Sequence, residues 1–167
     1  MKELKIRRAW ITDKFSIQIL LRQVLEVHHN GRPDLFKPNA QKYSSKELST
    51  IILDDSRPVF VAVDSENTVV GYAFCQFIQH RNHNILTNIK TLYIDDLCVD
   101  ENLRGQHIGK MLFDHVLVFA KENGCYNLTL NVWTCNPSAM AFYEKCGLVP
   151  QKVGMEMLLT QSDNTSS

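Results

Sequence analysis

The stretch Val99-Asp-Glu-Asn-Leu-Arg-Gly-Gln-His-Ile-Gly-Lys-Met-Leu112 limits the possible folds more than any other part of the chain. An apolar strand ends, a polar turn follows, and a glycine-bearing loop leads into an amphipathic helix. A strand, loop and helix in that order belong to a layered α/β architecture. The junction also presents backbone N–H groups at a helix N-terminus, where partial positive charge favours a phosphate. Arg104 and Lys110 flank the loop. These residues make a candidate site for a phosphorylated ligand. A Walker A loop is excluded, because Gly105 and Gly109 are too close together and Met111 follows Lys110. The dinucleotide fingerprint G-x-G-x-x-G is absent as well.

A second segment, Leu130-Asn-Val-Trp-Thr-Cys-Asn-Pro-Ser-Ala-Met-Ala-Phe-Tyr-Glu-Lys-Cys-Gly-Leu148, has its own logic. Asn136 suits an N-cap and Pro137 the first helical position. Ala139, Phe142, Tyr143 and Cys146 recur at helical spacing, and Gly147 can close the helix in a left-handed conformation. Together the two segments resemble the GNAT N-acetyltransferases. The first is similar to that family's acyl-CoA loop, [QR]-x-x-G-x-[GA]. Arg104 takes the first position and Gly109 the last, while His107 stands where the middle glycine usually is. The second is similar to the family pattern N-x-x-A-x-x-[FL]-Y-x-x-x-G-[FL]. The resemblance covers roughly residues 57–150, and the N-terminal part by pattern only.

Periodicity and caps organise the rest of the chain. Residues 3–10 read as a strand, and Thr12 can cap a helix over about 13–29 with Ile17, Leu20, Leu21, Val24 and His28 on one face. Asn30-Gly-Arg-Pro-Asp34 breaks that helix. Ser44-Ser-Lys-Glu47 is a capping box for a second helix reaching about residue 54. Strands follow at 58–64 and 68–79, joined by a hairpin signal at 65–67, and a third at 91–99. A helix over 107–123, a strand over 126–133, a helix over 137–146 and a final strand region at about 148–159 complete the reading. Residues 1–160 form one domain, and the polar 161–167 a disordered tail. This is an α/β layered sheet. The resemblance implies the GNAT fold: a mixed, twisted, mostly antiparallel sheet flanked by helices, with a V-shaped splay between the fourth and fifth strands.

Composition sets bounds on function. Formal net charge is zero, which gives no bulk electrostatic argument for nucleic acid or membrane partners. No apolar run reaches the ~18 residues of a membrane span. The N-terminus shows no signal-peptide pattern. Five cysteines without C-x-x-C spacing read as reduced thiols of a cytoplasmic protein. No metal site is expected, since the six histidines pair with no cysteine or carboxylate at ligand spacing.

The resemblance implies transfer of an acetyl group from acetyl-CoA to a primary amine by direct attack in a ternary complex. That chemistry needs a neutral amine, although an alkylamine of pKa near ~10.4 is almost fully protonated at pH 7. It also needs a polarised carbonyl and a stabilised leaving thiolate. The family usually places a tyrosine near the CoA sulfur, which points to Tyr143. The strand Leu92-Tyr-Ile-Asp-Asp-Leu-Cys-Val99 supplies a base candidate. Alternation puts Tyr93, Asp95, Leu97 and Val99 on one face and Ile94, Asp96 and Cys98 on the other. Asp95 sits where related members carry an acidic residue, and Asp96 reads as structural.

By the same resemblance, the backbone of Leu97, Cys98 and Val99 bonds the pantetheine arm. Residues Arg104, Gly105, Gln106, His107, Ile108, Gly109 and Lys110 hold the pyrophosphate, and Asn136 lies along the arm. The acceptor pocket draws on the segment His28–Phe36, with His28, His29 and Phe36, and on Tyr93 and Asp95. The expected acceptor is a small polyamine-like, aminoglycoside-like or amino-acid-like molecule. A protein N-terminus or lysine is the alternative acceptor. A non-catalytic acyl-CoA-binding domain is the alternative class, and a homodimer is left open.

Overall fold

The computed structural model describes residues 3–160. Five strands form one sheet in sequence order: β1 (Lys5–Arg8), β2 (Val59–Val63), β3 (Val69–Gln79), β4 (Lys90–Val99) and β5 (Asn127–Leu130). The first four pair antiparallel and β5 runs parallel to β4. Helices α1 (Lys14–Gly31) and α2 (Ser45–Ile52) cover one face, and α3 (Ile108–Glu122) covers the other. Helix α4 (Pro137–Lys145) follows β5 and packs Phe142 and Tyr143 onto the α3 side.

Local chemistry explains these elements. Ser44 Oγ accepts from the Glu47 amide at 3.1 Å while Glu47 Oε2 accepts from the Ser44 amide at 2.6 Å, so the expected capping box opens α2. Asn136 Oδ1 accepts from the Ala139 amide at 3.3 Å and Pro137 follows it, as expected for α4. Gly147, at φ +97, ends α4, and the Leu148 amide returns to the Tyr143 carbonyl at 3.1 Å. Thr12 does not cap α1. A 3-10 turn at Ile11–Asp13 precedes the helix, and Asp13 Oδ2 accepts from the Trp10 amide at 2.6 Å. Arg7 locks Asp13 with two hydrogen bonds of 2.8 and 3.1 Å, tying β1 to the start of α1.

The core has two halves. Ile17, Leu20 and Leu21 of α1 and Leu48, Ile51 and Ile52 of α2 meet Val59, Val61, Tyr72, Phe74 and Cys98. Ile108, Leu112, Phe113, Val116 and Ala120 of α3 meet Phe60, Ala62, Ala73, Cys75, Leu92 and Ile94. Alternate residues of β2 and β3 thus serve opposite layers.

Two expectations fail. The alternation read along β4 is broken by a bulge, because Phe74 faces Asp96 and Cys75 faces Ile94, which leaves Asp95 as the extra residue. Leu92 and Ile94 belong to the α3 side, and after the bulge Leu97 and Val99 take over that side. Asp96 and Cys98 therefore do not share a face with Ile94. The final strand region expected at about 148–159 is not formed: residues 149–160 join no strand of the sheet. The tail at 161–167 lies outside the described residues.

Candidate active site

Strand β4 pairs with β5 only from Thr91 to Ile94. Beyond that point β4 continues to Val99 along β3 while β5 has ended at Leu130. The edge of β4 from Asp95 to Val99 is therefore open toward the segment 131–136. This is a splay between parallel neighbours, and a chain-like ligand can extend the sheet there by backbone hydrogen bonds.

The loop before α3 stands at the end of the splay. Gly105 has φ +82, and His107, the N-cap of α3, has φ +62. The left-handed backbone at His107 accounts for the glycine usual at that position, since a Cβ there is sterically costly. His107 makes no side-chain cap hydrogen bond, so the first amides of α3 keep free donors. Arg104 is exposed and has no ion partner among the described residues, whereas Lys110 is paired with Asp114. Ile108 is buried and can offer only its backbone. An uncapped helix N-terminus with a free guanidinium beside it suits a diphosphate.

Gly109 lies in the first turn of α3, close to α4. A Cβ built there would lie 3.4 Å from the ring of Phe142 and 3.6 Å from Val99 Cγ2. These are ordinary contact distances, so α3 lies against α4, which carries Tyr143, with room for a small side chain at this position.

Tyr143 is half-buried, with its ring 5.1 Å from Phe142 and 6.5 Å from Phe113. Its hydroxyl has no hydrogen-bond partner among the described residues. Burial, reinforced by the Asp96 charge, holds the phenol well above its ordinary range. It stays protonated and can donate. Cys98 is buried, its thiol lies 3.8 Å from the Leu20 carbonyl, and burial pushes its pKa up to about 12. A thiol held protonated in this way is a poor nucleophile.

The bulge brings two adjacent carboxylates to the α1–α2 side. Lys42 Nζ lies 2.9 Å from Asp95 Oδ2, and Tyr72 donates its hydroxyl proton to Asp96 Oδ2 at 2.7 Å. Asp96 is held above the usual carboxylate range by burial, against the Tyr72 hydrogen bond and the Lys42 charge. Burial works against the Lys42 ammonium, but the hydrogen bond to Asp95 and the charges of both carboxylates outweigh it and raise its pKa. Burial lowers the pKa of His28 despite the nearby Asp96 charge, so its ring is neutral at pH 7.

An aromatic cluster begins at His28, which the Asp96 charge reaches. His28 and Phe36 lie 5.1 Å apart, and Phe36 meets Trp133 edge-on at 5.1 Å. His29 Nδ1 is 2.7 Å from the Phe36 carbonyl and so fixes the loop after α1. Asn131 Nδ2 donates to the Tyr93 hydroxyl at 3.2 Å across the opening. Arg32 pairs with both Asp34 and Glu156 at the rim. Of the residues expected on the acceptor side, His28 packs on Phe36 and feels the charges of Asp96 and of Lys42, the partner of Asp95, while Tyr93 meets Asn131 instead. Lys42, Trp133 and Asn131 were not anticipated. Trp133 lies inside a motif already singled out, whereas Lys42 carries no periodic or motif signal.

The model of the acetyltransferase (GNAT) family matches residues 22–148. The chain belongs to the GNAT family. As a GNAT protein it is an acetyl-CoA-dependent acetyltransferase, and the open sheet described above is the GNAT fold. It is 30% identical over 144 residues to the peptidyl-lysine N-acetyltransferase YjaB of Salmonella typhimurium, covering 86% of this chain and 82% of that one. It is 29% identical over 154 residues to a probable glucosamine 6-phosphate N-acetyltransferase of Oryza sativa subsp. japonica, covering 90% and 85%. Among solved structures, a mutant of the BH1408 protein from Bacillus halodurans superposes with a TM-score of 0.89 at 31% identity, over 93% of this chain and 99% of that one. Among the described residues, no three His, Cys, Asp or Glu side chains cluster as metal ligands, and no helix is long and apolar enough to cross a membrane.

Proposed function

We propose that the chain acetylates the primary amine of a small cationic molecule, by direct attack of the amine on acetyl-CoA bound in the splay. The Lys42–Asp95 ion pair carries this reading. It places an ammonium group of the protein against the carboxylate proposed to receive the acceptor. A cationic substrate can take the place of Lys42, with Asp96 adding negative potential behind it.

In the proposed reaction Asp95 takes a proton from the ammonium, directly or through water. The neutral nitrogen attacks the thioester carbonyl, the N–C bond forms, the C–S bond breaks, and the proton left on the nitrogen passes through water to the departing sulfur, giving the amide and the free CoA thiol. Tyr143 donates a hydrogen bond to the departing thiolate. With its pKa raised, it stabilises that sulfur without full proton transfer. Leu97, Cys98 and Val99 bind the pantetheine arm through their backbone, and Asn136 lies beside it. Arg104, Gly105, Gln106, His107, Ile108, Gly109 and Lys110 hold the pyrophosphate. His28, His29, Phe36 and Tyr93 shape the acceptor side.

A second reading makes Asp96 the proton acceptor. It is favoured by the upward shift of that carboxyl, which brings it closer to the working pH of a base. Acetylation of a lysine or a protein N-terminus is the alternative substrate class, and the 30% identity to a peptidyl-lysine acetyltransferase favours it. Thiol release from acetyl-CoA, measured with polyamines, aminoglycosides, amino acids and lysine peptides, separates these classes. The small cationic amines are expected to give the highest kcat/KM. A peptide exceeding all of them would reverse the assignment.

A further inference from the structure

One face of α1 meets the segment before α2 in a cleft that the proposed reaction does not use. Lys14, Phe15, Ile19 and Arg22 line one wall, Gln41 and Ser45 stand opposite, and the space between is about 250 Å³. Steps of three and four residues along a helix place side chains over one another, which gathers the α1 residues on one face. None of the six is among the residues assigned above to acetyl-CoA or to the acceptor.

The walls are fixed by hydrogen bonds within the protein. Lys14 Nζ donates to Ser45 Oγ at 3.0 Å and to Ser49 Oγ at 2.8 Å, which joins α1 to α2. Gln18 Nε2 and Gln41 Nε2 both donate to the Tyr43 carbonyl, at 2.8 and 2.9 Å. The cleft is thus held in shape by its own polar groups.

Its charge is not balanced. The lining holds two cations and no carboxylate. Arg7, Arg8, Arg32 and Arg57 each meet a carboxylate. Arg22 has no ion pair and no hydrogen-bond partner among the described residues, and Lys14 meets hydroxyls alone. All five donors of the Arg22 guanidinium are therefore open, in the fork that takes an oxyanion by two parallel bonds. The apolar part of the lining is also uncovered, with Phe15 78% and Ile19 44% exposed. Lys14 and Arg22 stand about 12 Å apart along the helix axis, and the two apolar side chains lie between them. The volume falls below the ~300–1,000 Å³ of pockets for drug-sized ligands, which fits one ring or a short chain.

We propose that this cleft binds a small organic anion. Its carboxylate or phosphate head sits on Arg22, its apolar body runs along Ile19 and Phe15, and the Lys14 charge adds to the attraction.

Titration of the CoA-saturated protein with phenyl phosphate and with benzoate, followed by amide NMR, tests the site. Excess CoA occupies the loop at Arg104, so that the probes do not collect there. Amides of 14–22 and 41–45 are expected to shift together and to saturate with a Kd of about 1 mM or tighter. The tighter of the two probes identifies the head. Inorganic phosphate and phenol, each carrying one half of the chemistry, are expected to bind at least ~10-fold more weakly. Arg22→Gln, a surface change, is expected to weaken the better probe by about 10-fold or more. Shifts confined to 104–110, a titration that does not saturate, or an unchanged Kd in Arg22→Gln would overturn the proposal.

Discussion

Lys42 Nζ lies 2.9 Å from Asp95 Oδ2, although the two residues belong to different layers of the fold. A bulge on β4 and the loop before α2 bring them together. The protein thus keeps an internal cation where a cationic substrate is proposed to bind. Lys42→Met is expected to lower KM for a cationic amine by up to about fivefold, since the half-exposed pair is worth roughly 1 kcal/mol or less. Steady-state kinetics with a neutral-bodied and a dicationic amine check this. An unchanged or higher KM for the dication would remove Lys42 from the pocket.

Asp95→Asn keeps size and hydrogen bonding while removing proton acceptance. The variant is expected to lose kcat/KM by about 10²-fold near neutral pH. It should recover partly as the pH climbs toward ~10, where free amine accumulates. A pH–rate profile identical to wild type would move the base to Asp96, and Asp96→Asn would then carry the altered acid limb.

Asp96 also leaves a mark on stability. Its pKa is raised in the fold, so the stability it contributes is complete below the ordinary carboxylate value and is lost as the pH rises through the raised value. Denaturant unfolding of Asp96→Asn and wild type is expected to diverge in the variant's favour as the pH rises from about 4 to about 7. Parallel curves would show that burial does not disfavour this charge.

Tyr143→Phe removes the hydroxyl and leaves the packing against Phe142 and Phe113. Turnover is expected to fall roughly 10²-fold with little change in acetyl-CoA affinity. Because burial raises this phenol, wild-type activity should show no loss from its ionisation up to pH 10. Wild-type turnover in the phenylalanine variant would exclude the hydroxyl from thiolate departure.

The left-handed His107 gives a backbone test. His107→Gly is expected to keep or tighten acetyl-CoA binding, whereas His107→Val should cost about 1–2 kcal/mol in stability and weaken binding. Calorimetry on both variants decides. Loss of binding in the glycine variant would assign the imidazole a direct contact.

Sequence alone exposes those parts of the site that local chemistry builds. The Ser44 and Asn136 caps, the helix carrying Tyr143 and the loop from Arg104 to Lys110 each depend on neighbours within a few residues, and each forms as expected. The bulge at Asp95 depends on how β3 and β4 align, and no nearby residue announces it. Lys42 matters only because a residue 53 positions later comes to meet it. The segment 148–159 reads as a strand region, yet pairing depends on where a segment lies against a partner, and among the described residues this one joins no strand.

The proposed reaction is direct transfer between two substrates held together at the splay. Initial velocities measured across a grid of acetyl-CoA and amine concentrations test it most directly. Lines that intersect in the double-reciprocal plot are predicted, because the amine must meet the thioester on the enzyme. Parallel lines, with an acetyl group appearing on the protein before amine is added, would mean a covalent intermediate and would contradict it.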